Sequence, residues 1–282
     1  MCWVQAELAL RIGLANLDNI GMAAIFSSYT AYIFISFLPP IIWLLFYLRE
    51  DSRPEPKRLL FLVFIGGVAS AIFAIVAELL FFGSCHDLNP ATPPDTVGCF
   101  EGIVALFNHS ITIDQFPFFV FLGIAFLEEY FKYAAVHFLV VNRPEFDEPI
   151  DAMIYMMTAA LGFAAIENFL FILPSPDSIL ELGFQFSSFQ LSANRFIGAN
   201  LLHATSSGIV GFFLARAFFS HYRHHFLAIG IILASLLHGL FNYLIIKEGL
   251  FPANINLLIV LLTTMTLVVL IEFEQLKKKT KI

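Results

Sequence analysis

The sequence predicts an all-α protein, a polytopic membrane helix bundle of about seven transmembrane helices. Of its 282 residues, 59% are hydrophobic and only 13% are charged, whereas typical soluble domains carry about 25% charged residues. Seven apolar stretches are close to or above the ~20 residues that a helix needs to cross a bilayer. They are continuous rather than alternating, so helices are the structures that would satisfy their backbone in lipid. They cover residues 26–48, 60–82, 116–141, 150–173, 191–217, 226–246 and 252–273.

The chain divides into three parts by composition. Residues 1–24 mix polar and apolar side chains and predict an interfacial helix or a loosely held arm. Residues 25–276 form a single transmembrane domain, and residues 277–282 a basic cytoplasmic tail. In the first span, Pro39 and Pro40 are expected to kink the helix, because proline cannot donate a backbone hydrogen bond.

Lysine and arginine are unevenly distributed over the connections between the spans. Arg11, Arg195 and Lys247 fall on one side, and eleven basic residues fall on the other. Because connections rich in Lys and Arg stay in the cytoplasm, we expect the N-terminus outside and the C-terminus in the cytoplasm. The eleven are Arg49, Arg53, Lys57, Arg58, Arg143, Arg216, Arg223, Lys277, Lys278, Lys279 and Lys281.

The connection between the second and third spans, residues 83–115, contains no Lys or Arg and holds Cys85 and Cys99. The predicted orientation places this loop outside the cell, where disulfides persist. We therefore expect a bridge between Cys85 and Cys99, the alternative being two free thiols.

Polar side chains recur at similar depth in four of the predicted spans. Glu128 lies about 12 residues into the third span, or ~18 Å at 1.5 Å per residue. His203 and His238 lie at a similar depth in the fifth and sixth spans, and Glu167 and Asn242 lie somewhat nearer the outer face. A carboxylate inside a bilayer costs several kcal/mol and needs a partner, a cavity or a function. We expect these groups to form one site in the outer half of the membrane.

Helical spacing groups these residues further. Lys132 is four residues from Glu128 and three from Glu129, so it can reach either carboxylate. His238 and Asn242 are one turn apart and share a helix face. A third set, Asn200, His203 and Ser207, forms a polar stripe along the fifth span.

These residue types support hydrolysis of a peptide bond. A glutamate can take a proton from water as a general base, and a histidine can orient that water or bind a metal. A His and an Asn one turn apart can donate hydrogen bonds to a tetrahedral oxyanion. Each residue also has a structural interpretation: the Glu–Lys pair as an internal ion pair, the histidines as interhelical donors, and Glu167 as the counter-ion of Lys132 or Arg195.

Four motifs together resemble the PrsW family of intramembrane proteases, which is related to the CAAX prenyl-protease superfamily. They are Glu128-Glu129-Tyr130-Phe131-Lys132 (EExxK), Phe163-Ala164-Ala165-Ile166-Glu167-Asn168 (FxxxEN), Arg195 followed eight residues on by His203, and His238-Gly239-Leu240-Phe241-Asn242 (HxxxN). The resemblance covers roughly residues 35–245.

The resemblance implies an intramembrane endopeptidase in a bacterial plasma membrane. Its substrate would be a single-pass, membrane-anchored protein similar to an anti-sigma factor, cut on the outer side as by a site-1 protease. The implied catalytic residues are Glu128 and Glu129, one of them as base, His203, His238 and Asn242 on the oxyanion side, and Glu167. The implied supporting residues are Lys132, Asn168 and Arg195.

A metal requirement is left open by the motifs. The HExxH zinc signature is absent. His203, His238 and one glutamate, Glu129 or Glu167, could supply three ligands to zinc. The same groups could work as a metal-free glutamate site, which is slightly favoured.

Two other functions fit parts of the sequence. A proton-coupled transporter also uses carboxylates and histidines inside the membrane. A catalytically inert, protease-like scaffold would keep the fold and tolerate loss of the carboxylates. The expected partners are the lipid bilayer and the substrate, the oligomeric state is left open, and the net charge of -7 gives no reason to expect nucleic-acid binding.

Overall fold

The computed structural model describes residues 22–50, 53–86, 98–101, 117–172, 186–217, 223–248 and 255–280. It confirms the predicted all-α fold class, with seven long helices in the described part of the chain. They are α1 (Met22–Tyr47), α2 (Lys57–Phe82), α3 (Pro117–Leu139), α4 (Pro149–Ile172), α5 (Phe186–Ala217), α6 (Arg223–Glu248) and α7 (Ile255–Thr280). A 3-10 turn, Leu48–Glu50, follows α1.

Six of the seven helices are long and apolar enough to cross a membrane. The remaining helix, α3, is 23 residues long and carries Glu128, Glu129 and Lys132 at its centre. These charges distinguish α3 from the other six by composition, while its length matches the predicted third span. Many large apolar side chains point outward, with Phe138 83% and Phe61 68% exposed, as expected of a lipid-facing surface.

Helix ends depart most from the predicted spans in three places. Helix α1 begins at Met22, inside the predicted 1–24 segment, whose first 21 residues lie outside the described residues. Helix α5 begins at 186, five residues before the predicted span. Helix α7 continues to Thr280, into the predicted tail, because Lys277–Lys279 are good helix formers. Pro39 and Pro40, expected from the sequence to kink the first span, lie within helix α1, which continues past them.

Helix α4 occupies the centre of the bundle. Every residue from Pro149 to Ala165 is buried, and α4 packs against α1, α2, α3, α5 and α7. The contact between α4 and α2 is close because each helix has a glycine that faces the backbone of the other helix. A Cβ atom on Gly67 would lie 2.0 Å from the Ala159 carbonyl oxygen, and one on Gly162 would lie 2.0 Å from the Phe64 carbonyl oxygen.

The remaining helices enclose the site between them. Helix α3 packs against α2 and α6, and α5 packs against α4 and α6. The Trp43 indole of α1 donates a 2.8 Å hydrogen bond to the carbonyl oxygen of Phe196 and so ties α1 to α5. The middle parts of α3, α4, α5 and α6 are therefore neighbours.

Two short strands lie between α2 and α3. Strands β1 (Gly83–His86) and β2 (Gly98–Glu101) pair antiparallel, and their register sets Cys85 directly opposite Cys99. The rest of the predicted 83–115 loop lies outside the described residues.

Candidate active site

Three helices bring the charged and imidazole side chains together inside the bundle. Glu128, Glu129 and Lys132 come from α3, His203 from α5 and His238 from α6, and each of the five is at least 95% buried. The two imidazole rings meet edge to face, with centroids 4.9 Å apart. These five of the residues that sequence spacing predicted to share one site therefore lie close together.

Glu129 is the most heavily hydrogen-bonded residue of the cluster. Its Oε1 accepts from Lys132 Nζ at 2.8 Å and from Ser206 Oγ at 2.9 Å, and it lies 2.9 Å from His238 Nδ1. Its Oε2 accepts from Ser207 Oγ at 2.7 Å. Four donors from three helices thus satisfy a fully buried carboxylate, as a charge in this position requires.

Glu128, the neighbouring residue, has the opposite environment. Its Oε2 is buried and has no hydrogen-bond partner in the described part of the chain. The nearest polar atoms are His238 Nε2 at 3.5 Å, Lys132 Nζ at 3.7 Å and His203 Nδ1 at 3.9 Å. These separations exceed a normal hydrogen bond. Glu128 therefore presents an open carboxylate oxygen to two histidines.

The hydrogen bonds fix where each histidine carries its proton. A carboxylate oxygen only accepts, so His238 donates through Nδ1 to Glu129, and its neutral ring keeps a lone pair on Nε2. His203 lies 2.7 Å from Glu167 Oε2 through Nε2 and 2.8 Å from Lys132 Nζ through Nδ1. An ammonium only donates, so in neutral His203 the proton lies on Nε2. The Phe163 ring of the FxxxEN motif packs beside His203 and lies 4.4 Å from Lys132 Nζ.

A second network extends from His203 along α4 and α5. Arg195 donates to Glu167 Oε2 at 2.7 Å and to Asn168 Oδ1 at 2.6 Å. Asn168 donates to Asn200 Oδ1 at 2.9 Å, and Asn200 donates to the Arg195 carbonyl oxygen at 2.9 Å. The structural alternative for Glu167, pairing with Arg195, is thus present together with its contact to His203. Asn168 joins the network without touching the carboxylates of α3.

Asn242 lies one turn beyond His238 on α6, as its spacing predicted, and is partly buried. It makes none of the hydrogen bonds described above for the cluster. Two residues that sequence reasoning did not assign to the site, Ser206 and Ser207, do belong to it. Ser207 stood in the predicted polar stripe of α5, and Ser206 lies three residues after His203, so the helical period carried a signal for both.

The charges of the cluster do not balance when its carboxylates are ionised. Glu128, Glu129 and Glu167 contribute three negative charges, whereas Lys132 and Arg195 contribute two positive ones. Lys132 pairs closely with Glu129, and Arg195 with Glu167. The uncompensated charge is therefore that of Glu128, whose open oxygen can take a proton or a cation.

The open oxygen belongs to a donor set that fits a metal ion. Glu128, His203 and His238 each offer one ligand atom, and the three atoms lie within 4.8 Å of one another. Two imidazoles and one carboxylate are a common set for catalytic zinc. His238 also donates a hydrogen bond from its other ring nitrogen, Nδ1, to the carboxylate of Glu129. Metal-binding histidines are usually held by a hydrogen bond of this kind.

The chain matches the family model described as PrsW family intramembrane metalloprotease over residues 55–271. The chain belongs to the PrsW protease family. The Protease PrsW of Geobacillus kaustophilus is 29% identical over 204 residues, covering 72% of this chain and 74% of that protein. That of Clostridioides difficile is 24% identical over 222 residues, covering 77% and 80%. That of Bacillus subtilis is 32% identical over 131 residues, covering 45% and 55%.

No solved structure matches the chain. The PrsW match spans α2 to α7 and contains all four motifs found in the sequence. With its apolar helices, this membership makes the chain an integral membrane protein and a peptidase. The transporter alternative loses its support accordingly.

Proposed function

We propose that the protein is an intramembrane endopeptidase that hydrolyses a peptide bond in a single-pass, membrane-anchored protein, similar to an anti-sigma factor. The observation that carries the proposal is the open, buried oxygen of Glu128 between His203 and His238. Hydrolysis needs an acceptor for the proton of water beside groups that orient the water, and this oxygen is such an acceptor.

We assign different roles to the two adjacent glutamates. Glu128 takes a proton from the attacking water while the water oxygen forms a bond to the scissile carbonyl carbon. It returns that proton to the departing amine when the carbon–nitrogen bond breaks. Glu129 cannot share this role without losing its four hydrogen-bond donors, so it positions His238 and Lys132 instead.

The oxyanion role falls to Asn242 rather than to His238. In neutral His238 the proton is committed to Glu129, so Nε2 has none to donate. The amide of Asn242, one turn away on α6, keeps two donors. A donor to the oxyanion contributes about 3–4 kcal/mol to catalysis of acyl transfer.

We further propose that Glu128, His203 and His238 can hold a divalent metal, with zinc as the first candidate. With the metal bound, Glu128 would be a ligand and the metal would lower the pKa of the attacking water, so the base role of Glu128 belongs to the site without metal. The unpartnered oxygen, the donor set and the description of the matching family as metalloproteases support a metal at this site, whereas the sequence slightly favoured a metal-free site. A metal there would act as a Lewis acid on the substrate carbonyl. Glu129 and Glu167, named from the sequence as candidate ligands, have their described oxygens engaged with other donors. His203 would bind the metal only after its Nδ1 gives up the contact with Lys132 Nζ.

We place the site in the outer half of a bacterial plasma membrane, with the N-terminus outside. Support comes from the excess of basic residues in alternate connections and from the bacterial relatives. In this orientation the β1–β2 hairpin faces the oxidising compartment. The register of Cys85 and Cys99 then supports a disulfide between them.

The proposal predicts that Glu128→Gln abolishes cleavage, because glutamine cannot accept the proton. Purified protein would be reconstituted with a single-pass model substrate, and cleavage would be compared in Glu128→Gln, Glu129→Gln and His203→Ala variants. Loss of a general base typically lowers the rate by about 10²–10⁴-fold. The matched control is Glu274→Gln, which makes the same change at an exposed residue outside the cluster. Wild-type cleavage by Glu128→Gln would reject Glu128 as the base of the peptidase site. Absence of cleavage by the wild-type protein would favour the scaffold alternative.

Metal removal is tested in the same assay. We expect a membrane-permeable chelator to stop cleavage and added zinc to restore it, because the metal would act as the Lewis acid. A chemically similar compound that does not chelate is the control. Full activity after exhaustive chelation, with no metal found in the protein by mass spectrometry, would return the assignment to a metal-free glutamate site.

A further inference from the structure

Two adjacent serines of α5, Ser206 and Ser207, donate hydrogen bonds to the carboxylate of Glu129, and the two oxygens depend on them to different degrees. Both are fully buried. Ser206 Oγ donates to Oε1 at 2.9 Å, and Ser207 Oγ donates to Oε2 at 2.7 Å. The carboxylate therefore receives one hydroxyl on each oxygen.

The two oxygens differ in what else they contact. Oε1 also contacts Lys132 Nζ and His238 Nδ1, so loss of Ser206 leaves it two donors. Ser206 has a second acceptor as well, the carbonyl oxygen of His203 at 3.3 Å. Among the described residues, Oε2 has Ser207 as its hydrogen-bond donor. Without Ser207, a buried carboxylate oxygen would lack a partner, which is costly enough to make the carboxylate turn.

We propose that Ser207 is a positioning residue of the peptidase, which fixes the Glu129 carboxylate and through it the ring of His238. The inference rests on the proposed function, since it concerns how His238 is presented to Glu128. If the carboxylate turns to find another donor for Oε2, Oε1 leaves His238 Nδ1.

The consequence for the site lies in the second nitrogen of His238. The hydrogen bond from Nδ1 to Glu129 keeps the lone pair on Nε2, the atom 3.5 Å from Glu128 Oε2. Loss of that hydrogen bond frees the ring to rotate and to exchange its tautomer. Ser207 thus influences the reaction centre without touching the open oxygen of Glu128.

The first test separates turnover from substrate binding. We expect Ser207→Ala to lower kcat by about 10–100-fold, the usual effect of losing a partner that orients a site histidine, with little change in KM. Ser206→Ala is expected to lose less, because two donors remain on Oε1. Ser207→Thr keeps the hydroxyl and is expected to recover most of kcat. Ser235→Ala is the control: Ser235 is also buried, and in the described part of the chain its hydroxyl donates to the carbonyl oxygen of Ile231 within α6.

The second test reads the histidine directly. In protein labelled with ¹⁵N-histidine, the Nδ1–H signal of His238, assigned with His238→Gln, is expected to persist in Ser206→Ala and Ser235→Ala. It is expected to shift or broaden in Ser207→Ala and to return in Ser207→Thr.

The outcomes distinguish this inference from the function on which it rests. Wild-type kcat in Ser207→Ala, or a lower kcat with an unchanged His238 signal, would overturn the role of Ser207 while Glu128→Gln stays inactive. Activity in Glu128→Gln would overturn the proposed function itself.

Discussion

Glu128 and Glu129 show how two identical neighbours acquire different properties from their surroundings. They lie about 100° apart on α3. Glu129 points to hydrogen-bond donors on α5 and α6, whereas Glu128 has an oxygen with no donor among the described residues. A saturated carboxylate is a rigid support, whereas an open one can accept a proton or a cation. This difference is the reason why we propose Glu128 for the reaction and Glu129 for its support.

Arg195 is the residue whose removal we expect to weaken the second network. Its guanidinium bridges Glu167 and Asn168, with Glu167 19% exposed. Arg195→Gln leaves a largely buried carboxylate without its cation, so we expect a loss of about 1–3 kcal/mol, measured by thermal unfolding in detergent. Arg195→Lys keeps the charge but loses the planar fork, and an intermediate loss is expected. Equal stability of wild type and Arg195→Gln would contradict this role.

Motif spacing predicted which charged and imidazole residues would meet in the site, but not which role each of them has. Lys132 falls within reach of both carboxylates on any α-helix, and the sequence left both pairings open. The 2.8 Å contact with Glu129 and the 3.7 Å separation from Glu128 depend on donors from two other helices. Long-range contacts of this kind have no local signature in a sequence.

Helix α4 owes its central place to small residues at its contacts. The reciprocal approach of Gly162 to Phe64 and of Gly67 to Ala159 lets the backbones of α2 and α4 come close. Close helix approach through glycine is a common device where lipid supplies no hydrophobic drive between helices. The position of Glu167, on the same helix, depends on this packing.

Gly162→Ala is predicted to destabilise the bundle. The new methyl group would lie 2.0 Å from the Phe64 carbonyl oxygen, so the two helices must separate. Overpacking of this kind costs about 1–3 kcal/mol. Gly198→Ala is the matched control, because its methyl group would meet only Phe241 Cζ at 3.8 Å and alanine favours the helix. The midpoint of thermal unfolding should be lower for Gly162→Ala than for Gly198→Ala. Equal midpoints would show that the contact between α2 and α4 is looser than described.

The existence and order of the helices could be predicted from hydropathy, but their ends could not. The apolar stretches end where charge begins, whereas the helices end where the backbone loses its hydrogen bonds. Helix α7 therefore continues through three lysines to Thr280. Helix α3 shows the opposite case. Its charges lower its apolar character, although Lys132 of the same helix and Ser206 of α5 satisfy the carboxylate of Glu129.

On the scale of the whole molecule, orientation and the hairpin can be tested together. In a Cys2→Ser background on intact cells, we expect a membrane-impermeant maleimide to label Cys85 and Cys99 only after reduction. The reason is that they would face outward and be joined. Cys85→Ser should free Cys99 for labelling without a reductant. Labelling of the background protein before reduction would exclude the bridge, and none after reduction would place the hairpin on the other side.

The central position of α4 has a consequence for biogenesis. Glu167 precedes His203 by 36 residues, so at synthesis rates of about 5–20 residues per second it waits roughly 2–7 s for this partner to be made. During that interval the nascent chain holds the Glu167 carboxylate without its contact to His203. Delayed insertion of α5 would expose this half-built intermediate to quality-control proteases, so variants of α5 should lower the amount of protein in the cell as well as its activity.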